Sequence, residues 1–381
     1  MKIALVSPYD FCHPGGVARH ITSLYTHFLR MGHEVKIVAP ASRDIEDFGV
    51  NFIRIGRPVP IPASDSIIRI SISMHLAPAI KQMLAHEKFD IIHLHEPFMP
   101  MLCSAVLRFS NTVNVGTFHA AQGKPGYNWG KPISTWMLSQ RARHLHGFIA
   151  VSKPAMDYVK QYVAADYEII PNGVDTDFFR PDVKPLEQYA DGKLNIVFMS
   201  RLEFRKGANY LLKAFLEIKR QMPNTRLIIC GEGTRLRKRY EKWVAKNRLK
   251  DVIFTGRVSN EEQPRYYRTA DIFCAPATSR ESFGLILIEA MATGRPIVAT
   301  NIEGYAGVVT HGEEGLLVPP MTVGPLTDAL LTLLNDKQLR LQMGRKGFTT
   351  AQRYSWESIA SRVMTYYIKT MNKTNSGHPT G

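Results

Sequence analysis

Ile196-Val-Phe-Met-Ser-Arg-Leu-Glu-Phe-Arg-Lys-Gly207 is the stretch that decides the fold of this chain. An apolar run, Ile196–Met199, stops at a polar loop, and a helical pattern begins after the glycine, as when a buried parallel strand hands over to a crossover helix. The alternation continues downstream, with strand-like runs at Leu227–Cys230, Val252–Phe254, Ile272–Ala275, Ile297–Ala299 and Leu316–Val318. It also precedes this stretch, at Ile3–Val6, Val35–Ala39, Phe52–Ile55, Ile91–Leu94, Val113–Phe118 and Phe148–Val151. Short apolar strands separated by longer helical segments predict an α/β chain with doubly wound parallel sheets. Because the pattern is built twice within 381 residues, two Rossmann-like domains are expected, at 1–170 and 190–355. Turn formers in Pro171-Asn-Gly-Val-Asp-Thr-Asp-Phe-Phe-Arg-Pro181 mark a linker over 171–189. Such domains are expected to face one another across a cleft, with ligands beyond the carboxyl ends of the strands. A last helical period over Trp356–Lys369 precedes a polar tail, 372–381, expected to be disordered.

The composition, 45% hydrophobic, is ample for packed cores, and the formal net charge is +15. A sequence pI of about 9.6 brings acidic partners into view: nucleic acid, anionic lipid or a phosphorylated substrate. The surplus is uneven, +5 over residues 1–170 and +10 over the remainder. Its densest stretch, Arg235–Lys250, repeats Leu236, Tyr240, Trp243 and Val244 at helical spacing and reads as an amphipathic helix with a basic, solvated face. No nucleic-acid motif accompanies it, so a nucleic-acid-binding protein without transferase activity is the rival class rather than the reading. Cys12, Cys103, Cys230 and Cys274 lie far apart without paired spacing, which argues against a zinc site or a disulfide framework and for free thiols in a reducing cytoplasm. No apolar run approaches the roughly 20 residues that span a bilayer, and the N-terminal run reads as a first strand rather than a signal peptide.

The chemistry concentrates in Glu281-Ser-Phe-Gly-Leu-Ile-Leu-Ile-Glu289, a loop entering a helix. Eight helical steps of about 1.5 Å cover about 12 Å, comparable to the span from a hexose across a diphosphate to a ribose. One carboxylate can then hold sugar hydroxyls and the other the ribose. Ser282, Phe283 and Gly284 would present amide N–H groups to a phosphate at the helix start. Glu289 lies in an otherwise apolar run that should be buried, where a carboxylate is rarely left without a partner. In the loop 200–207, Arg201 and Lys206 could neutralise a diphosphate leaving group without a metal. His13-Pro-Gly-Gly-Val17 follows the first strand, and its glycines let a phosphate approach the backbone. His119 falls at the end of a strand in the first half, placed for a sugar hydroxyl or for charge at the reacting carbon; standing alone, it reads as packing. His93/His95 and His144/His146 alternate as metal ligands on a strand would, but no carboxylate or cysteine cluster accompanies them, and no metal is expected. Asp175-Thr-Asp177 follows a turn, where aspartates more often close turns than bind metal.

Together these motifs resemble the retaining GT-B glycosyltransferases of the family 4 type, and among them the bacterial phosphatidyl-myo-inositol α-mannosyltransferases. The likeness runs from residue 1 to about 370 through Ser7-Pro-Tyr, Pro14-Gly-Gly, Gly32–Pro40, Leu94-His-Glu-Pro97, Thr117-Phe-His119, Ala150-Val-Ser152, Ile170–Asp175, Arg201 with Lys206-Gly207, and Glu281–Gly294. The resemblance implies a GT-B architecture and transfer of a hexose, mannose from GDP-mannose before a UDP-sugar, to a phosphatidylinositol-like lipid, with no cofactor required. It implies that Gly16, Arg201 and Lys206 bind the diphosphate. Glu281 and the amides near Phe283 and Gly284 would hold the sugar, Glu289 the ribose, and Asn260 would lie near the base, with Ser282, Leu285 and Val258 also binding the donor. His119 matches the catalytic-site histidine, and Tyr9 and Lys124 fall where the family contacts the inositol phosphate. A C-terminal helix, 356–371, would pack back on the first domain. This chain departs from the family in carrying Asn260 and Gln263 where an aspartate and a lysine lie near guanine, and Cys12 where an acidic residue lies near the acceptor. It also has only Lys81 and Lys88 as fixed cations in the membrane-helix segment Met74–Lys88. The apolar loops Pro97–Met101 and Tyr127–Trp129 either enter lipid headgroups or are buried. A cytoplasmic enzyme, peripheral on an anionic membrane surface, is the implied setting.

Overall fold

A computed structural model describes residues 1–13, 15–63, 66–71, 75–121 and 131–377. The chain forms two compact units, one of Met1–Asn172 joined by the chain from Trp356 onward, the other of Gly173–Ser355. The first unit contains β1 (Lys2–Val6), β2 (Glu34–Ala39), β3 (Phe52–Arg54), β4 (Pro58–Ala63), β5 (Ser66–Ser71), β6 (Ile91–His95), β7 (Val113–Phe118), β8 (Gly147–Ala150) and β9 (Tyr167–Ile169). Among the described residues, seven of these form a parallel sheet in the order β3-β2-β1-β6-β7-β8-β9. Its strands are apolar on both faces because both are covered: Ala4 and Val6 join one core cluster, Ile3 and Leu5 the other. The pair β4 and β5 forms a separate antiparallel hairpin. Prolines at 58, 60 and 62 remove donors along one strand, which suits a two-stranded ribbon and hid it from a reading based on apolar alternation.

The second unit contains β10 (Leu194–Met199), β11 (Thr225–Cys230), β12 (Val252–Gly256), β13 (Ile272–Ala275), β14 (Ile297–Thr300) and β15 (Gly315–Val318). They pair in parallel in the order β12-β11-β10-β13-β14-β15. In each unit the winding direction reverses beside its first strand, between β1 and β6 and between β10 and β13. Beyond the carboxyl ends of such strand pairs lies the crevice where open α/β sheets bind ligands. The basic stretch forms the helix Thr234–Lys246, with Tyr240 buried and Leu236, Trp243 and Val244 packed against the core.

Two expectations require correction. The segment expected as a linker, 171–189, joins the second unit from Gly173 on, with Val174, Phe179, Leu186 and Tyr189 buried in its core. Its turn formers fold the backbone over the domain while aromatic side chains anchor it; Asp175 Oδ1 accepts the N–H groups of Asp177 and Phe178 at 3.1 and 3.0 Å. At the other end, the tail expected from residue 372 is still helix, for the last helix runs Trp356–Asn375. It is carried that far because Thr370 is buried and the Thr374 hydroxyl returns to the Thr370 carbonyl at 3.0 Å.

That last helix packs on the first unit, where Trp356, Ile359, Ala360, Val363 and Tyr367 join the cluster formed by Ile3, Leu5 and Phe28. The Tyr366 hydroxyl accepts the Phe148 N–H at 2.8 Å. Among the described residues no helix is long and apolar enough to cross a membrane. Ile359 is fully buried. Ile359→Ala should therefore destabilise the first unit by about 2–5 kcal/mol, seen as faster hydrogen exchange in β1 and β6; unchanged protection there would contradict this packing.

Candidate active site

The loop after β10 is pinned before it carries any chemistry. A short 3₁₀ turn, Phe204–Lys206, ends at Gly207 with φ +77°, and a Cβ there would stand 1.8 Å from the Pro276 carbonyl oxygen. Only glycine allows the β10 and β13 loops to approach so closely. The Thr278 N–H donates to the Arg205 carbonyl at 2.7 Å and ties the two loops again.

This contact brings Lys206 onto Glu281, Nζ to Oε1 2.7 Å, with the side chains only 12% and 13% exposed. Arg205 donates to the same Glu281 oxygen and reaches Glu203 at 2.8 Å. Arg201 bonds Glu203 at 3.1 Å and is the most exposed of these cations. Burial pulls the Lys206 ammonium below its ordinary range, and the Glu281 charge opposes that shift. Sequence reasoning selected Arg201 and Lys206 and missed Arg205, since nothing in three closely spaced cations tells which one the turn aims inward.

Downstream, Gly284 precedes the helix Leu285–Ala292. Ser282 and Phe283 lead into its first turn, where amide N–H groups lack intrahelical acceptors. Glu289 is buried inside that helix, and its Oε2 accepts the Tyr267 hydroxyl at 2.7 Å. Tyr267, itself fully buried, is the partner that sequence reasoning did not identify. Val258 packs on the core, and Asn260 is exposed in the turn before the helix Gln263–Thr269, where Gln263 Nε2 donates to its Oδ1 at 3.4 Å.

In the first unit, Gly16 opens the helix Gly16–Arg30 at the end of β1. A Cβ on Gly15 or Gly16 would meet no heavy atom within 4 Å, so packing does not demand glycine there and the surface stays open. Asp10 is buried: its Oδ1 accepts the Ser42 and Cys12 N–H groups and its Oδ2 contacts His13 Nδ1 at 2.8 Å. Burial alone would raise its carboxyl pKa, and these hydrogen bonds hold it below the ordinary value. The Tyr9 phenol is pushed up by burial and by Glu96. Glu96, buried with φ +50°, accepts the His119 and Ala120 N–H groups on Oε1, both at 2.8 Å, and so fixes the loop that carries His119.

Histidines layer this strand end. His93 and His95 share a face of β6 with ring centroids 4.3 Å apart, as period-two alternation requires. His93 is bonded on both nitrogens, to Thr117 Oγ1 and to the Tyr367 hydroxyl, each at 2.6 Å. His95 Nδ1 meets His119 Nε2 at 3.0 Å, and His20 Nδ1 meets Asn172 Oδ1 at 2.9 Å. The rings of His20, His95 and His119 offer nitrogens within 4.8 Å of one another, a spacing a metal could use, although these hydrogen bonds already commit one nitrogen of each ring. His144 and His146 lie apart from this layer, His146 Nδ1 accepting the Asn114 N–H at 3.1 Å. Lys124 and the loop Tyr127–Trp129 lie outside the described residues, as does Met74. In Pro97–Met101, Pro97 and Phe98 are buried, with Phe98 against Phe118.

The chain belongs to the GT-B glycosyltransferases. The family model described as Glycosyltransferase Family 4 matches residues 14–178, and that described as Glycosyl transferases group 1 matches 181–350. A solved glycosyltransferase from Rickettsia africae superposes with a TM-score of 0.79 at 17% identity, covering 97% of this chain and 98% of that one. Within these enzymes the chain belongs to the phosphatidyl-myo-inositol mannosyltransferase family, being 34% identical over 376 residues to the Mycobacterium tuberculosis member, with 96% of each chain covered. A second M. tuberculosis protein, a GDP-mannose-dependent alpha-(1-6)-phosphatidylinositol monomannoside mannosyltransferase, is 35% identical over 217 residues, 52% of this chain and 55% of that one.

The histidine layer makes stability depend on pH. Burial lowers the His20 pKa to about 4 and the His93 pKa to about 3, and holds His95 and His119 well below the ordinary value. Below the unfolded value of about 6.5 the unfolded chain binds protons that the folded one refuses. Folding stability is therefore full above that value and falls as pH drops toward 4, by up to about 1.4 kcal/mol per pH unit for each such ring. Thermal unfolding from pH 7.5 to 4.5 should show this decline, less steep in His93→Gln; an identical slope in that variant would remove His93 from the effect.

Proposed function

We propose that this chain transfers a mannosyl group from GDP-mannose to a phosphatidylinositol-like acceptor, with retention at the anomeric carbon. The observation that carries the reading is the partly buried Arg205–Glu281–Lys206 network at the β10/β13 switch point, in a chain related over nearly its full length to phosphatidyl-myo-inositol mannosyltransferases. Arg201 and Lys206, with the open backbone at Gly16, take the diphosphate. Glu281 and the amides of Ser282, Phe283, Gly284 and Leu285 take the sugar. Glu289, oriented by Tyr267, takes the ribose, and Val258 and Asn260 border the base. Tyr9 and Lys124 meet the inositol phosphate, and His119 faces the transferred sugar.

In the reaction the bond from the anomeric carbon to the diphosphate oxygen breaks. The acceptor oxygen forms its bond to that carbon on the same face, and its proton passes to the departing phosphate. The protein orients the reactants and stabilises separating charge: Arg201, Arg205 and Lys206 face the growing negative charge of the diphosphate, and Glu281 steadies the sugar. A lipid acceptor places this work at a membrane surface. Trp136 and Met137, 65% and 42% exposed on the helix Lys131–Ala142, support contact with headgroups there.

Charge-assisted hydrogen bonds contribute about 1.5–3 kcal/mol, so Glu281→Ala should slow mannosyl transfer by one to two orders of magnitude. Unchanged turnover in the folded variant would exclude Glu281 from the mechanism. Calorimetry should find GDP bound more tightly than UDP, with the affinity reduced in Lys206→Ala. Tighter UDP binding would reassign the donor to a UDP-sugar, because the neutral amide of Asn260 specifies guanine less firmly than a carboxylate does.

A further inference from the structure

We infer that His95 is a positioning residue that locks His119 in the tautomer carrying its proton on Nδ1, so that His119 meets a ligand only as a hydrogen-bond donor. The inference rests on the geometry of the pair and deepens the placement of His119 beside the transferred sugar. His95 Nδ1 and His119 Nε2 face each other at 3.0 Å, and one of them carries the shared proton. His95 Nε2, at the other side of its ring, is buried and has no hydrogen-bond partner among the described residues.

Two arrangements satisfy the contact. If His119 donated, the proton of neutral His95 would sit on Nε2, leaving a buried N–H with no acceptor. If His95 donates, only a lone pair is left buried at Nε2. A buried donor without an acceptor is the rarer and costlier state, so His95 Nδ1–H donates. The lone pair of His119 Nε2 is then consumed, and its proton lies on Nδ1, the nitrogen for which the described residues supply no partner. Both rings remain neutral, since burial and the neighbouring imidazoles of His20 and His93 oppose protonation.

The surroundings fix this choice. His93 packs against His95, ring centroids 4.3 Å apart and planes tilted by 34°, while held by Thr117 and Tyr367, which restrains the His95 ring. Glu96 anchors the backbone of His119 and Ala120, which sets the height of the His119 ring over His95. The group presented is a fixed N–H on a neutral ring, matched to an oxygen acceptor such as a sugar hydroxyl. It is not a base, and it does not withdraw the acceptor proton.

The test is ¹⁵N-histidine NMR of the full-length protein, with His119 identified by its loss in His119→Asn. The expected spectrum places the proton on Nδ1 of His119 by at least tenfold over Nε2; a proton on Nε2 overturns the inference. In His95→Leu the tautomer preference should vanish and kcat fall tenfold or more with the donor KM nearly unchanged. His95→Gln, whose amide N–H can replace the donor, should restore both, which a merely space-filling role would not explain. Equal kcat in His95→Leu and the parent overturns the positioning role. The ring measurement uses no sugar donor, so its result is separate from that of the mannosyl-transfer assay.

Discussion

Two cations meeting one carboxylate hold the second unit's site together: Lys206 and Arg205 on Glu281, at the carboxyl ends of β10 and β13. Lys206 could not be kept so far from water without that charge, because desolvating an ammonium costs several kcal/mol unless a counter-ion compensates, whereas Arg205 is paired with Glu203 as well. The requirement propagates outward. Glu281 must reach across from the β13 loop, which fixes the loop-to-loop distance, and that distance leaves no room for a side chain at Gly207. With Arg201 and Glu203 included, the cluster carries more positive than negative charge. The surplus favours an anionic ligand, and the partial burial of Lys206 strengthens any contact it makes with one.

The fold was legible because its logic is repeated. A strand covered on both faces is mostly apolar, and every such run found in the sequence is a strand of one of the two parallel sheets. What escaped had different physics. Hairpin β4–β5 carries prolines in place of ladder donors, and β9, Tyr167–Ile169, is a three-residue edge strand too short to show a period. The segment after Gly173 showed its turns but not its anchors, because Phe179 and Leu186 reveal their role only once the core they fill exists.

At the site, chemistry was more legible than partnership. A carboxylate within Leu285–Ala292 drew notice because burying it alone is costly, yet its partner Tyr267 lies 22 residues away on another helix. The loop 200–207 announced its charge, while the inward aim of Arg205 depends on a turn whose geometry no local pattern encodes. In the same way, alternation placed His93 and His95 on one face, but their roles separate through Tyr367, 274 residues from His93 in sequence.

That separation explains why the first unit tolerates buried imidazoles where apolar side chains would pack at less cost. The polar layer is graded. His93 is satisfied on both nitrogens; His95, equally buried, is bonded on one; His119, partly exposed, is bonded on one, with no bond to the other among the described residues. Each ring is oriented by the one beneath it, and the lowest is fastened to the C-terminal helix through Tyr367. A site built directly on an apolar core would lack fixed donors, and one built on a surface loop would lack fixed orientation. Grading hydrogen-bond satisfaction from core to surface gives His119 both, and the cost is the loss of stability when acid protonates the unfolded chain.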